Sequence, residues 1–266
     1  MYKFTYHRPT SLSQARRILV ENAEAKIIAG GMTLLPTMKM RLAQPSDLVD
    51  LSGIDQLRGV RDTGNALVIG AMTCHADVAA DPLVQTGIPA LASLANRIGD
   101  AQVRNRGTLG GSVSNSDPSA DYPAAVLALD SVVETDRRKI AADVFFTGMF
   151  ETALDENEIV LSVIFRKPKR AAYLKFPNPA SRYAVAGVMV AETDDGVRVA
   201  VTGAGANAFR ATALEEALTE DFSPSALDGL TVDGRDFNGD LHATPEYRAH
   251  LVMVMARRAV IAARSN

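Results

Sequence analysis

The sequence predicts a protein of mixed helices and strands, either α/β or α+β. Three observations carry this. Short apolar segments of strand length alternate with segments of helical period. Two glycine pairs, Gly30-Gly31 and Gly110-Gly111, follow or adjoin apolar sequence. The composition then changes at Arg166-Lys167-Pro168-Lys169-Arg170, where a proline among four positive charges suits an exposed connection. A length of 266 residues suits two domains, or one with a substantial appendage, and the boundary is placed at this basic run.

Ser11 and Gln14 have the spacing of a capping box, and Leu12, Ala15, Ile18 and Leu19 recur at helical intervals up to Asn22. Lys26 to Ala29 reads as a buried strand running into Gly30-Gly31. Thr33 is then placed to cap a helix through Leu34, Leu35, Met38 and Leu42, with Pro36 in its first turn. Asp47 to Leu51 and Ala66 to Gly70 are expected strands, and Thr73 is expected to cap a helix over His75 to Ala80. Pro89 to Ile98 has helical spacing, and Gln102 to Arg106 leads directly into the second glycine turn. Pro118 and Pro123 make the stretch between them loop or helix start, ahead of a helix over Ala124 to Leu129. Ser131 to Thr135 and Glu158 to Phe165 read as strands. Beyond the boundary, Ala184 to Ala191 and Val197 to Val201 form a strand pair turned at Asp194-Asp195-Gly196, and Thr244-Pro245-Glu246 opens a closing helix to Ala263.

Composition narrows the function. Hydrophobic residues make up 47% of the chain against 22% charged, which excludes a disordered or fibrous protein. With 28 basic and 31 acidic residues the formal charge is −3, so there is no electrostatic case for nucleic acid or an anionic membrane surface. Met1 to Arg8 lacks the apolar stretch of a signal peptide, and no run is long enough to span a bilayer, so a cytoplasmic location is expected. Cys74 is the sole cysteine, which excludes an internal disulfide and a four-thiolate iron–sulfur cluster. His7, His75, His242 and His250 lack metal-ligand spacing, so no metal site is expected and any redox chemistry rests on an organic cofactor.

The glycine pairs are the strongest site candidates, because side-chain-free residues let backbone amides converge on an anion. Asn105, Thr108, Ser112, Ser114, Asn115 and Ser116 flank the second pair with more hydrogen-bonding capacity than a bend requires, and Asp121 follows as a carboxylate for a hydroxyl-bearing group. Asp117 makes a weaker case, and His75 has no paired nucleophile or acid and receives no role. Gly203-Ala204-Gly205-Ala206-Asn207-Ala208 matches a dinucleotide fingerprint, but no second strand ending in an acidic residue follows near residue 220, so the match is set aside. Lys175, a cation within Tyr173-Leu174-Lys175-Phe176, is either an edge residue or a group aimed at a ligand.

Together, Tyr6-His7-Arg8-Pro9, Ala29-Gly30-Gly31, Thr108-Leu109-Gly110-Gly111 and Tyr247-Arg248-Ala249-His250-Leu251 make the chain resemble, nearly end to end, the FAD-binding medium subunit of molybdenum hydroxylases, the family of carbon monoxide dehydrogenase and xanthine dehydrogenase. The resemblance implies a flavin-binding α+β domain of the p-cresol methylhydroxylase kind over 1–170, with subdomains of about 1–55 and 56–170. A smaller C-terminal α/β domain with a three-stranded sheet would span 171–266. It further implies that Lys26, Ile27, Ile28, Ala29, Gly30, Gly31, Met32 and Thr33 wrap the FAD pyrophosphate, while Thr108, Gly110, Gly111 and Ser112 close on it from the other side. Ile98 would line the flavin pocket, Asp121 would accept from cofactor hydroxyls, Val160 would give a backbone or apolar contact, and Lys175 would approach the isoalloxazine ring. Met32 stands where the family often has a polar residue and Ser112 where it usually has Asn. Both shorten side-chain reach while leaving the backbone donors in place, so FAD binding is expected to persist with altered affinity or flavin electronics.

The implied function is electron transfer. A large subunit would carry molybdopterin, a small subunit two [2Fe-2S] clusters, and FAD on this chain would pass electrons to NAD, a quinone or oxygen. The implied assembly is a dimer of heterotrimers, cytoplasmic and at most peripheral to the inner face of the membrane. The competing readings are a stand-alone nicotinamide-dependent flavin reductase and a structural subunit without cofactor.

Overall fold

The computed structural model describes residues 1–265. Its first layer is a parallel sheet of three short strands, Thr5–His7, Asp47–Asp50 and Lys26–Ile28, with Asp47–Asp50 in the centre. The crossover is the helix Leu12–Glu21, where Ser11 Oγ accepts from the Gln14 amide at 3.3 Å as the expected box requires, while Gln14 Oε1 accepts from the Thr10 amide at 3.0 Å in place of the Ser11 amide. Ala15 and Leu19 on its inner face pack with Val49 of the sheet and with Leu51 just beyond it. Because all three strands run the same way, their carboxyl ends lie together, and the Gly30 turn and helix Leu34–Lys39 leave from that edge.

The second sheet is antiparallel, in the order Val60–Asp62, Ala66–Gly70, Val160–Arg166, Val132–Thr135 and Lys139–Ala141. Helices His75–Ala80, Pro82–Gly87, Pro89–Asn96, Ala101–Arg104, Leu109–Asn115 and Tyr122–Ala128 fill the sequence between its second strand and Val132. Leu67, Ile69, Val163 and Phe165 from the sheet form one core with Leu91, Leu94, Val113 and Val126 from these helices. A hairpin of Phe146–Gly148 and Glu151–Thr152 stands beside it.

The third sheet is also antiparallel, with strands Arg170–Pro177, Ala184–Thr193, Gly196–Thr202 and Phe209–Arg210. Its two faces go to different cores. Met189, Ala191 and Ala200 join the core of the second sheet and the helix Tyr122–Ala128, while Val188, Val190, Val199 and Val201 join a core closed by the helix Pro245–Arg264. Burial on both sides explains why Ala184 to Ala191 is an unbroken apolar run.

Five expectations need correction. Thr33 holds the cap position of the helix Leu34–Lys39 without a side-chain bond, and that helix ends before Leu42. The C-terminal sheet has a fourth, two-residue strand, Phe209–Arg210, too short for a period to show. Thr73 does not cap the helix at His75; its hydroxyl bonds the Gly59 backbone, and Cys74 occupies the cap position without a side-chain bond. The basic run near residue 170 is not a free connection. Arg166 pairs with Asp130 and Asp195, Lys167 with Asp62, Lys169 with Asp194 and Arg170 with Glu192, so it ties the second sheet to the third. Gly110 and Gly111 form no turn but the first turn of the helix Leu109–Asn115, capped by Thr108.

Candidate functional site

A cavity of about 720 Å³ runs between the carboxyl edge of the first sheet and the helices of the second, a volume in the range of cofactor sites. Its walls include Lys26 to Thr33, His75, Ile98, Gly107, Thr108, Gly110 to Ser112, Asp121, Val160 and Tyr183. The two glycine segments meet there. A Cβ on Gly30 would collide with the Arg106 carbonyl and come within 2.7 Å of Gly107 Cα, and one on Gly111 would sit 2.9 Å from Thr108 Oγ1 and 3.3 Å from Ala29 Cβ. Only glycine permits this backbone-on-backbone approach at Gly30, and Gly31, at φ +74°, also takes a left-handed conformation.

The two segments contribute differently. Among the described residues, the amides of Gly30, Gly31, Met32 and Thr33 donate to no group of the chain. These donors sit at the cavity wall, where they are open to a ligand or to solvent. The second segment holds no such row of free amides. Leu109 donates to the Thr73 carbonyl at 3.0 Å, Gly110 to Ala71 at 2.8 Å, Gly111 to Thr108 Oγ1 at 3.2 Å and Ser112 to the Thr108 carbonyl at 3.0 Å. The first turn thus leaves its amides unpartnered, whereas the expectation of converging amides is corrected for the second. What Thr108 to Ser112 supplies is a helix end packed so tightly that a Cβ on Gly110 would lie 2.5 Å from Ala71 Cβ.

Lys175 stands on the edge strand Arg170–Pro177 but is buried, and its ammonium is committed within the chain. Its Nζ donates to Asp121 Oδ2 at 3.0 Å, to the Arg97 carbonyl at 3.0 Å and to the Arg182 carbonyl at 2.8 Å, which uses all three of its protons. Tyr173 Oη donates to Asp121 Oδ1 from the same strand. Burial pushes the Asp121 carboxyl above its usual range, against the pull of Lys175 and of the Tyr173 hydroxyl. A carboxylate has about four lone-pair sites, so Asp121 keeps acceptor capacity toward the cavity it lines. The ammonium ties the 97–99 loop and the 178–183 loop to the start of helix Tyr122–Ala128, so its job here is to hold two walls at a fixed separation.

Ile98 and Val160 both line the cavity, as does the backbone of Lys26 to Ile28. Met32 is exposed and Ser112 half-buried. Wall residues that sequence reasoning missed include Leu154 to Ile159 and Ser181 to Tyr183, and His75, which received no role, also lines the cavity. Arg182 at φ +63° and Asn157 at φ +60° mark sharp turns that residue type alone does not announce. His75 is buried, its ring tilted by 49° against that of Tyr122 at a centroid distance of 5.3 Å, and burial, aided by the nearby Arg104 charge, pushes its pKa down to about 4. The Gly203-x-Gly205 segment lies at the end of an antiparallel strand, with Gly203 packed 2.5 Å from the Ala184 carbonyl on Cβ placement, which removes the dinucleotide-fingerprint reading. Among the described residues no group of His, Cys, Asp and Glu is arranged to hold a metal ion, and no helix is long and apolar enough to cross a membrane.

Residues 2–168 match a family described as the FAD binding domain in molybdopterin dehydrogenase. The carbon monoxide dehydrogenase medium chain of Hydrogenophaga pseudoflava is 36% identical, over 98% of this chain and 97% of its own length. The nicotine 6-hydroxylase medium subunit of Paenarthrobacter nicotinovorans is 35% identical, over 97% of this chain and 96% of its own. Among solved structures, reconstituted CO dehydrogenase from Oligotropha carboxidovorans superposes with a TM-score of 0.90 at 30% identity, covering 99% of this chain and 98% of that one.

Proposed function

This chain belongs to the family of FAD-binding domains in molybdopterin dehydrogenases, and we propose that it holds the FAD diphosphate on the Gly30 to Thr33 amides within the cavity described above. It is the FAD-binding subunit of an oxidoreductase of the molybdenum hydroxylase type. The observation that carries the placement is the row of unpartnered amides in a cavity wall. The residues suit the group: donors without side chains for a diphosphate, apolar walls at Ile98 and Val160 for ring systems, and the residual acceptor capacity of Asp121 for hydroxyls. Thr108 to Ser112 would back the cradle and keep water from its far side.

When bound, the flavin accepts electrons singly and passes them on in pairs. The chain's own contribution is orientation. Lys175 and Asp121 fix the loops around one end of the cavity, and Gly30 on Gly107 fixes the other. With Cys74 as its sole cysteine the chain offers no cluster ligands, so a small [2Fe-2S] subunit and a large molybdopterin-binding subunit complete the electron path, in a dimer of heterotrimers located in the cytoplasm. NAD, a quinone or oxygen then takes the electrons. Neither a stand-alone flavin reductase nor a cofactor-free structural subunit finds support among relatives that are named as medium chains and subunits.

The test is the visible absorbance of the purified chain with and without added FAD, followed by capture of a cluster-bearing small subunit from the native host. A yellow chain that binds FAD far more tightly than riboflavin, which lacks the diphosphate, is the expected result. A chain that stays colourless at saturating FAD contradicts the proposal.

A further inference from the structure

His75 is only 4% exposed, it lines the cavity, and among the described residues neither of its ring nitrogens bonds to any group of the chain. Its place is fixed. The His75 amide donates to the Gly107 carbonyl at 3.0 Å, Cys74 pairs with Thr108 in an isolated bridge, and the ring packs at a tilt against Tyr122. Gly107 makes room for the imidazole, because a Cβ there would lie 2.6 Å from Nε2. The same glycine abuts Gly30, whose own Cβ would come within 2.7 Å of Gly107 Cα. Gly107 thus touches both the imidazole and the Gly30 turn, which places Nε2 close to the row of unpartnered amides.

The two ring nitrogens are not equivalent. Nδ1 is sealed from solvent without a partner, and a sealed lone pair is a smaller loss than a sealed N–H, so the single proton of the neutral ring belongs on Nε2. Burial keeps the ring in that neutral form at neutral pH. We propose that His75 Nε2–H donates a hydrogen bond to a diphosphate oxygen of FAD, beside the amides of Gly30 to Thr33, and so is a direct contact of the cofactor. The inference deepens the flavin-subunit reading and rests on it. Like those amides, Nε2–H is a donor without a partner, and an anionic oxygen is the acceptor that such donors satisfy best.

The experiment is nitrogen NMR of the full-length chain carrying isotopically labelled histidine, titrated with FAD and, in parallel, with riboflavin, which has the ribityl chain but no diphosphate. His75→Gln removes the His75 signals and so tells them from those of His7, His242 and His250. FAD is expected to shift the Nε2 signal and slow exchange of its proton, and riboflavin to do neither. Dissociation constants supply the second readout. His75→Phe keeps a ring and loses the donor, so its FAD Kd should rise at least about tenfold, the loss of one hydrogen bond to a charged group. His75→Gln, whose amide can reach the position of Nε2, should recover most of that affinity, and riboflavin binding should be the same in all three chains. An Nε2 signal that FAD leaves unmoved, or that riboflavin moves equally, overturns the proposal. A folded His75→Phe chain with native FAD affinity, or with equal loss of both ligands, overturns it as well, and if that variant does not fold the NMR of the native chain decides. A native chain without flavin absorbance at saturating FAD would instead fell the underlying flavin reading, and the spectrum tells the two failures apart.

Discussion

His75 shows how one residue sets a condition on the whole site. Its ring packs at a tilt against Tyr122 in a wall of the cavity, and burial holds its ionisation at about 4 against an ordinary 6.5. Above pH 6.5 the imidazole is neutral in both folded and unfolded chains, so it costs nothing. As pH falls toward 4 the unfolded chain takes up a proton that the folded chain refuses, and about 3 kcal/mol of stability is lost across that window. The expected outcome is that His75→Phe flattens the fall in unfolding free energy between pH 6.5 and 4, measured by urea titration at several pH values. An unchanged slope would mean that another group dominates. Lys175 gives the complementary lesson. Its residue type suggested a ligand contact, yet its three protons are all committed inside the chain, a fact that no local sequence pattern carries.

At the scale of elements, Thr108 and Thr244 cap their helices in the same way, each accepting a backbone amide three residues on. Removing either hydroxyl should cost about 1 kcal/mol. Only Thr108 stands at the cavity, against Gly111 and close to Ala29. Thr108→Ala is therefore expected to lower both the melting temperature and FAD affinity, and Thr244→Ala the melting temperature alone. Equal FAD affinity in the two variants would remove the second glycine segment from the site. The opening and closing helices and most strands were legible because caps and apolar period act locally, as at Ser11 and Thr244. The Gly110 helix start was read as a turn because glycine signals a bend as well as close packing, and here the demand for glycine comes from Ala71, distant in sequence. Arg182 and Asn157 entered the cavity wall through backbone turns that their residue types do not specify.

At the scale of the molecule, three sheets share two boundaries, and the cavity depends on both. The first sheet supplies the cradle, the second the backing helix, and the third, through Tyr173 and Lys175, the pins that hold Asp121. Met189, Ala191 and Ala200 of the third sheet lie in the same core as Leu67 and Val126. A chain ended at residue 168 would expose that face and strip Asp121 of the Tyr173 hydroxyl and the Lys175 ammonium that hold it. Such a truncated chain is expected to give a broad, non-cooperative unfolding curve and no FAD binding. A sharp transition with bound flavin would show that residues 2–168 stand alone.

The most direct measurement is the FAD dissociation constant of native chain against Gly30→Ala, with riboflavin titrated in parallel and circular dichroism recorded for both. The Gly30 turn holding the diphosphate requires that one added methyl, driven into the Arg106 carbonyl, separate the two walls. The expected result is a loss of FAD affinity of at least about a hundredfold with secondary structure retained and the weak riboflavin binding little changed. FAD affinity equal to that of the native chain, in a variant that folds, would contradict it.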